Sequence, residues 1–251
     1  MPSKNAAFYA YIKHATGDVV YVGVFANRMV ANLWWRAIMV SANVQLQKSI
    51  KRITAQFYSQ AAIGDVEATL QDPQCAAHLK NQVFFVMANG VGSVSPGLVP
   101  PDDGRDAVNK EIYLIRASGD PTMHWAVSST GTIVCSRTDM TFFRLYAKVP
   151  NLPGVNYNDG VPFIGDDEIT LQIVDTDAYL KMDAPDGNKL SKLSVAPQSS
   201  VPSKFKFKYF EGKSDLHGFG VEKGVGGDDA PHVVCTFPDG PVGQGIAWEL
   251  V

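Results

Sequence analysis

Cysteine is scarce in this chain. Its 251 residues hold three, Cys75, Cys135 and Cys235, an odd number with no CxxC spacing. That speaks against a disulfide framework and against a thiolate zinc cluster, and the expectation is buried, reduced thiols. Long hydrophobic runs are also missing. The longest, Met29 to Val40, is broken by Asn32 and Arg36 and falls short of the ~20 apolar residues that span a bilayer. The opening MPSKNAAFYAYIKHATG has no basic segment followed by an apolar one, so no secretory signal is read. The expected location is the cytoplasm, or release without a signal peptide. No HExxH, P-loop or calcium-loop spacing is present, and no cofactor or metal is expected.

What is present is an ordinary globular mixture, 45% hydrophobic and 19% charged, with 22 glycines and 15 prolines. Disorder is excluded by that balance. The net charge of −3 is unevenly spread. Residues 1–100 carry eight Lys/Arg against four Asp/Glu, a net +4 that leaves −7 for the remainder. The first part is suited to approach an anionic surface and the second would be repelled by one.

Residues Phe8–His14 and Val19–Phe25 alternate as two strands around the turn Ala15-Thr16-Gly17-Asp18, with Tyr9, Tyr11 and Lys13 on one face. After Asn27, a helix N-cap by type, the period changes. Trp35, Met39, Ala42, Leu46, Ile50, Ile53 and Phe57 recur at steps of three and four, which predicts one helical stripe. No Gly or Pro interrupts residues 28–63, so a single amphipathic helix of about 50 Å is expected. Its first half is apolar nearly all round. Such a helix is usually buried on most sides, packed against the hairpin and the second domain. In the alternative, Leu33, Trp34, Trp35, Ile38 and Met39 mediate membrane interaction or assembly, including homo-oligomerisation.

A short helix near 65–71 and a strand at Val83–Met87 follow. Residues 96–109, which include Pro100-Pro101-Asp102-Asp103-Gly104, read as a linker. The expected division is an α+β domain at 1–95, this linker, and an all-β domain at 110–251. In that last part three sets of short alternating segments are separated by turns. The first set is Glu111–Arg116, His124–Val127, Thr132–Cys135 and Phe142–Tyr146. The second is Glu168–Val174, Tyr179–Met182, Lys192–Val195 and Lys204–Tyr209. The third is Gly218–Glu222, His232–Thr236 and Ile246–Leu250. The sets echo one another: Glu111-Ile112-Tyr113-Leu114 matches Glu168-Ile169-Thr170-Leu171, and each set closes on an alternating aromatic strand. Residues 110–251 thereby resemble the β-trefoil superfamily, with a β-sandwich as the competing arrangement. The fold class expected is thus α+β, a hairpin and long helix followed by a trefoil-like domain.

The superfamily spans lectins, protease inhibitors, cytokines and actin-bundling modules, so the resemblance does not choose a function. The Gln-X-Trp triplet of ricin-type lectins is absent, since Ile246 and Ala247 precede Trp248. Sugar recognition needs an aromatic face beside an amide or carboxylate. His124 with Trp125, Asn156 and Tyr157 with Asp159, and Asp177 with Tyr179 supply those types locally. An inhibitor would present the long segment 149–167, rich in Pro, Gly and Asn.

No catalytic residues stand out, because the five histidines are scattered. Phe8-Tyr9-Ala10-Tyr11-Ile12 followed by Val20-Tyr21-Val22-Gly23 resembles the paired tyrosine motifs of GIY-YIG nucleases. That resemblance would give Tyr9 or Tyr11, and Tyr21, the tyrosine positions and Glu67 the metal-binding carboxylate. Ala31 stands where that family has its arginine. The readings therefore rank as follows: a defence or toxin-like protein binding a glycan or protein surface, then a protease inhibitor, then a nuclease. Nucleic acid is not among the expected partners.

Overall fold

The computed structural model describes residues 7–77, 79, 81–88, 106–147, 161–183, 191–197, 200–211, 218–222, 231–236 and 246–251. These residues form sixteen strands and four short helices. The chain divides into two units, the first comprising described residues up to Asp106 and the second those from Ala107 on. The α+β expectation with its long helix is therefore corrected. The protein is mostly β, and no helix among the described residues exceeds thirteen residues.

In the first unit, β1 (Phe8–His14) and β2 (Val20–Phe25) form the expected antiparallel hairpin. Helix α1 (Arg28–Val40) starts on Asn27, whose side chain accepts from the Val30 N–H at 3.0 Å. It then stops where continuation was expected. Ser41 turns to extended backbone and accepts the Asn43 N–H on its hydroxyl at 3.0 Å. Asn43 in turn caps α2 (Val44–Ser49) through the Gln45 N–H. Such short polar side chains offer the backbone a local alternative to helical bonding. Beyond Ile50 the chain is drawn into a second hairpin, β3 (Lys51–Thr54) and β4 (Phe57–Gln60). The supposed stripe is consequently split, with Leu46 and Ile50 buried while Ile53 and Phe57 face water.

Helices α3 (Asp65–Ala68) and α4 (Pro73–Ala76) precede β5 (Val83–Met87). The sheet order is β3-β4-β1-β2-β5, and β4 runs parallel to β1. Alternation sends Phe8, Ala10 and Ile12 of β1, Tyr21 and Phe25 of β2 and Tyr58 of β4 inward, where they bury with Val30, Trp34 and Ile38 of α1. Trp34 is fully buried, and its indole N–H donates to Thr69 Oγ1 at 2.9 Å. Arg52 also points inward. Its side chain is 8% exposed, pairs with Asp106 at 2.6 Å and donates to Asn32 Oδ1 at 2.9 Å.

The second unit is a branched sheet of eleven strands: β6 (Ile112–Ala117), β7 (Asp120–Val127), β8 (Ile133–Ser136), β9 (Phe142–Ala147), β10 (Glu168–Ile173), β11 (Leu180–Met182), β12 (Ser191–Val195), β13 (Phe205–Lys206), β14 (Gly218–Glu222), β15 (His232–Thr236) and β16 (Trp248–Leu250). Antiparallel pairs run β16–β6–β9–β10–β13. Three hairpins, β7–β8, β11–β12 and β14–β15, bring their second strands together, since β15 pairs both β12 and β8. Among the described residues the third set contributes three strands, and Phe207–Glu211 forms a 3-10 turn where a continuing strand was expected. The likeness to the β-trefoil superfamily thus stays one of pattern. Trp125 is the hub of the core, with ring centroids 5.1 Å from Phe219, 5.4 Å from Trp248 and 6.0 Å from Phe143.

Candidate functional site

Strand alternation builds a polar, aromatic patch on the outward side of β9 and β10. Phe143 and Leu145 are fully buried, as are Ile169 and Leu171. Arg144 and Tyr146 must therefore point outward, as must Thr170 and Gln172 opposite them in register. After β10 the chain reverses through a tight loop in which Asp177 has φ of 53°. That left-handed conformation is uncommon outside glycine, and Asp is among the residues that tolerate it. The loop closes with the Ile173 N–H donating to the Ala178 carbonyl at 2.7 Å. Tyr179 then bridges back beside Gln172.

Gln172 organises the patch. Its carbonyl oxygen accepts from Tyr146 Oη at 3.1 Å and from Arg144 Nη1 at 3.3 Å. Its amide nitrogen donates to the Asp177 carbonyl at 3.2 Å. With 8% of its surface exposed, the amide is held in one orientation by two groups from β9 and one from the loop. The rings of Tyr146 and Tyr179 lie 6.2 Å apart and tilted by 46°, a separation typical of aromatic pairs. Two half-buried tyrosines thus flank a fixed amide and a guanidinium, with the exposed Asp177 at the rim. Such a surface can stack a sugar ring and hydrogen-bond its hydroxyls.

Of the residues singled out in the sequence, the structure brings Asp177 and Tyr179 into this patch. Trp125 is fully buried and has no face open to a ligand. His124 is half-buried on β7, its Nδ1 3.1 Å from the Thr122 carbonyl. Asn156, Tyr157 and Asp159 lie outside the described residues. In α1, Trp34 and Ile38 are fully buried, while Leu33, Trp35 and Met39 are half-buried. Arg144, Tyr146 and Gln172 were not singled out. The signal for the first two was the alternation in Phe142-Phe143-Arg144-Leu145-Tyr146, but the partner strand could not be read from it.

Chemistry elsewhere is muted. Tyr9 and Tyr11 lie on the face of the hairpin opposite to Tyr21. Tyr21 is 1% exposed, and burial raises its pKa, helped by the neighbouring Glu67 carboxylate, to which it is hydrogen-bonded. The tyrosines of the nuclease-like motif therefore do not share a site. Cys75 and Cys135 are free and buried, and burial pushes both thiols up to about 12, so neither supplies a thiolate at neutral pH. Among the described residues no group of three His, Cys, Asp or Glu side chains could hold a metal ion. None of their helices is long and apolar enough to cross a membrane.

No family model matches the chain, and no curated protein is similar to it. Among solved structures, the chain has a likeness to the binding domain of botulinum neurotoxin serotype G, with a TM-score of 0.40 and 14% identity. The match covers 59% of this chain and 44% of that one. The chain thus spans less than half the length of that neighbour, and similarity at this level carries no functional argument.

Proposed function

We propose that the protein is a binding module that recognises a glycan through Tyr146, Tyr179, Gln172 and Arg144 on the second unit, with Asp177 at the rim. The observation that carries this reading is the fixed Gln172 amide. Gln172 is 8% exposed, and its amide is held by three partners. Ordering a polar group before a ligand arrives lowers the entropy cost of binding it. Tyrosines on either side add stacking area with few rotatable bonds. A glycan array probed with the whole chain tests the proposal. Saturable binding that Tyr179→Ala lowers by at least about tenfold supports it. A blank array, or binding that this variant leaves unchanged, removes it. The inhibitor reading rests on residues 149–167, of which only Val161–Asp167 are described, and no observation favours it.

A further inference from the structure

Among the described residues, the five-stranded sheet of the first unit has one face that none of the unit's helices covers. Helices α1, α3 and α4 bury Trp34, Val66 and Cys75 against the inward residues of the sheet. The opposite face follows from the registers. Phe57, Tyr11, Val22 and Val86 lie side by side across β4, β1, β2 and β5, and Val24 and Phe84 are paired in the next row. Phe57 and Tyr11 stack at 5.6 Å. Phe57, Phe84 and Val86 are 49%, 56% and 49% exposed, and they lie on one face with the other outward residues of the sheet, whereas exposed apolar residues are ordinarily scattered singly.

Charge on this face has one sign. Lys51 and Lys13 are exposed and flank Ser59 in register. No residue of the five strands is acidic. The centre, on β2, is Val22 and Val24, bordered by the rings of Tyr9 and Tyr11 on one side and of Phe84 on the other. An apolar plane with a cationic row at one side complements the interface of an anionic membrane, where apolar side chains enter the acyl boundary and lysines meet headgroups.

We infer that this open sheet face, and not helix α1, docks the protein on an anionic lipid bilayer. The inference is independent of the glycan reading. Co-sedimentation of the whole chain with vesicles of phosphatidylcholine, alone or with about 30% phosphatidylserine, tests it. The expected result is partition onto the anionic vesicles at least about tenfold above the neutral ones, falling as salt is raised. Phe57→Ser with Phe84→Ser, both at exposed positions, should lower that partition at least about tenfold with an unchanged circular-dichroism spectrum. Lys13→Glu with Lys51→Glu should abolish the preference for anionic lipid. Equal partition onto both vesicle types, or none, overturns the inference. So does undiminished binding by the Phe57/Phe84 variant while its fold is intact. A single-stranded oligonucleotide that binds through the same residues, with vesicles ignored, also overturns it and assigns the face to nucleic acid instead.

Discussion

Tyr146 on β9 and Tyr179 just before β11 hold their rings 6.2 Å apart, and Gln172 is bonded to the hydroxyl of the first. Tyr146 reaches this position because β9 alternates, and Tyr179 because the Asp177 turn folds the chain back on β10. Removing the Tyr146 hydroxyl leaves the ring in place and takes one hydrogen bond from Gln172. Tyr146→Phe is therefore expected to cost about 1 kcal/mol of stability, and Tyr146→Phe with Gln172→Ala should cost less than the sum of the two. Denaturant melts of the two single variants and the double variant measure the coupling. Additive effects would mean that the bond contributes nothing.

Trp125 contacts aromatic rings from four other segments. Trp125→Ala should cost roughly 3–5 kcal/mol, because the ring's contacts are lost and a cavity remains. Near-ultraviolet circular dichroism should lose its aromatic bands at a lower temperature in this variant. Trp125→Ala melting like the parent would show that the core is organised elsewhere.

The halt of α1 at Ser41 is tied to α4. Asp72 accepts the Gln74 and Cys75 N–H groups at 3.0 Å and the Ser41 hydroxyl at 3.1 Å. Partial burial raises its pKa, and these bonds, that from Cys75 first, outweigh it and leave the carboxyl below its ordinary value. A depressed folded pKa gives stability that is present above the unfolded value of about 3.9 and is lost as pH falls through the folded one. Asp72→Ala should cost about 1–2 kcal/mol at neutral pH, and the difference from the parent should shrink in acid. Thermal melts across the acid range follow it, and a cost that does not shrink would mean that the charged cap is not what stabilises the turn.

In alkali the sign reverses. Burial, with smaller opposing effects of Arg52 and Asp106, pushes the Tyr58 pKa up to about 12, and burial holds the Cys75 and Cys135 thiols at about 12. Their neutral forms are favoured in the fold, so the unfolded chain ionises first. Stability should fall as pH rises from the unfolded values, about 8.5 for cysteine and 10 for tyrosine, toward 12. Tyr58→Phe should blunt the part of this loss that belongs to the first unit. The thiols of Cys75 and Cys135 should resist a neutral-pH alkylating agent until the protein unfolds, as peptide mass spectrometry would show. Rapid labelling of either would contradict their burial.

Local alternation was enough to place β1, β2, β5 and most strands of the second unit within a few residues. Apolar periodicity misled over 28–63 because steps of three and four also fit a short helix followed by a strand pair. Ser41 and Asn43 carried the stop signal as local hydrogen-bonding side chains, a weaker mark than Gly or Pro. The candidate site was half legible. Asp177 and Tyr179 have suggestive types, whereas Gln172 acquires its role only from the register that sets it opposite Arg144. The type of Trp125 suits burial as well as stacking on a sugar, and the structure buries it.

Titration of isotopically labelled protein with a sugar that binds on the array tests the central claim most directly, through the side-chain amide resonance of Gln172. The expected result is a saturable shift of that resonance, with the same dissociation constant as binding on the array. A sugar that saturates the protein while the Gln172 amide stays unmoved and resonances elsewhere shift would contradict the account.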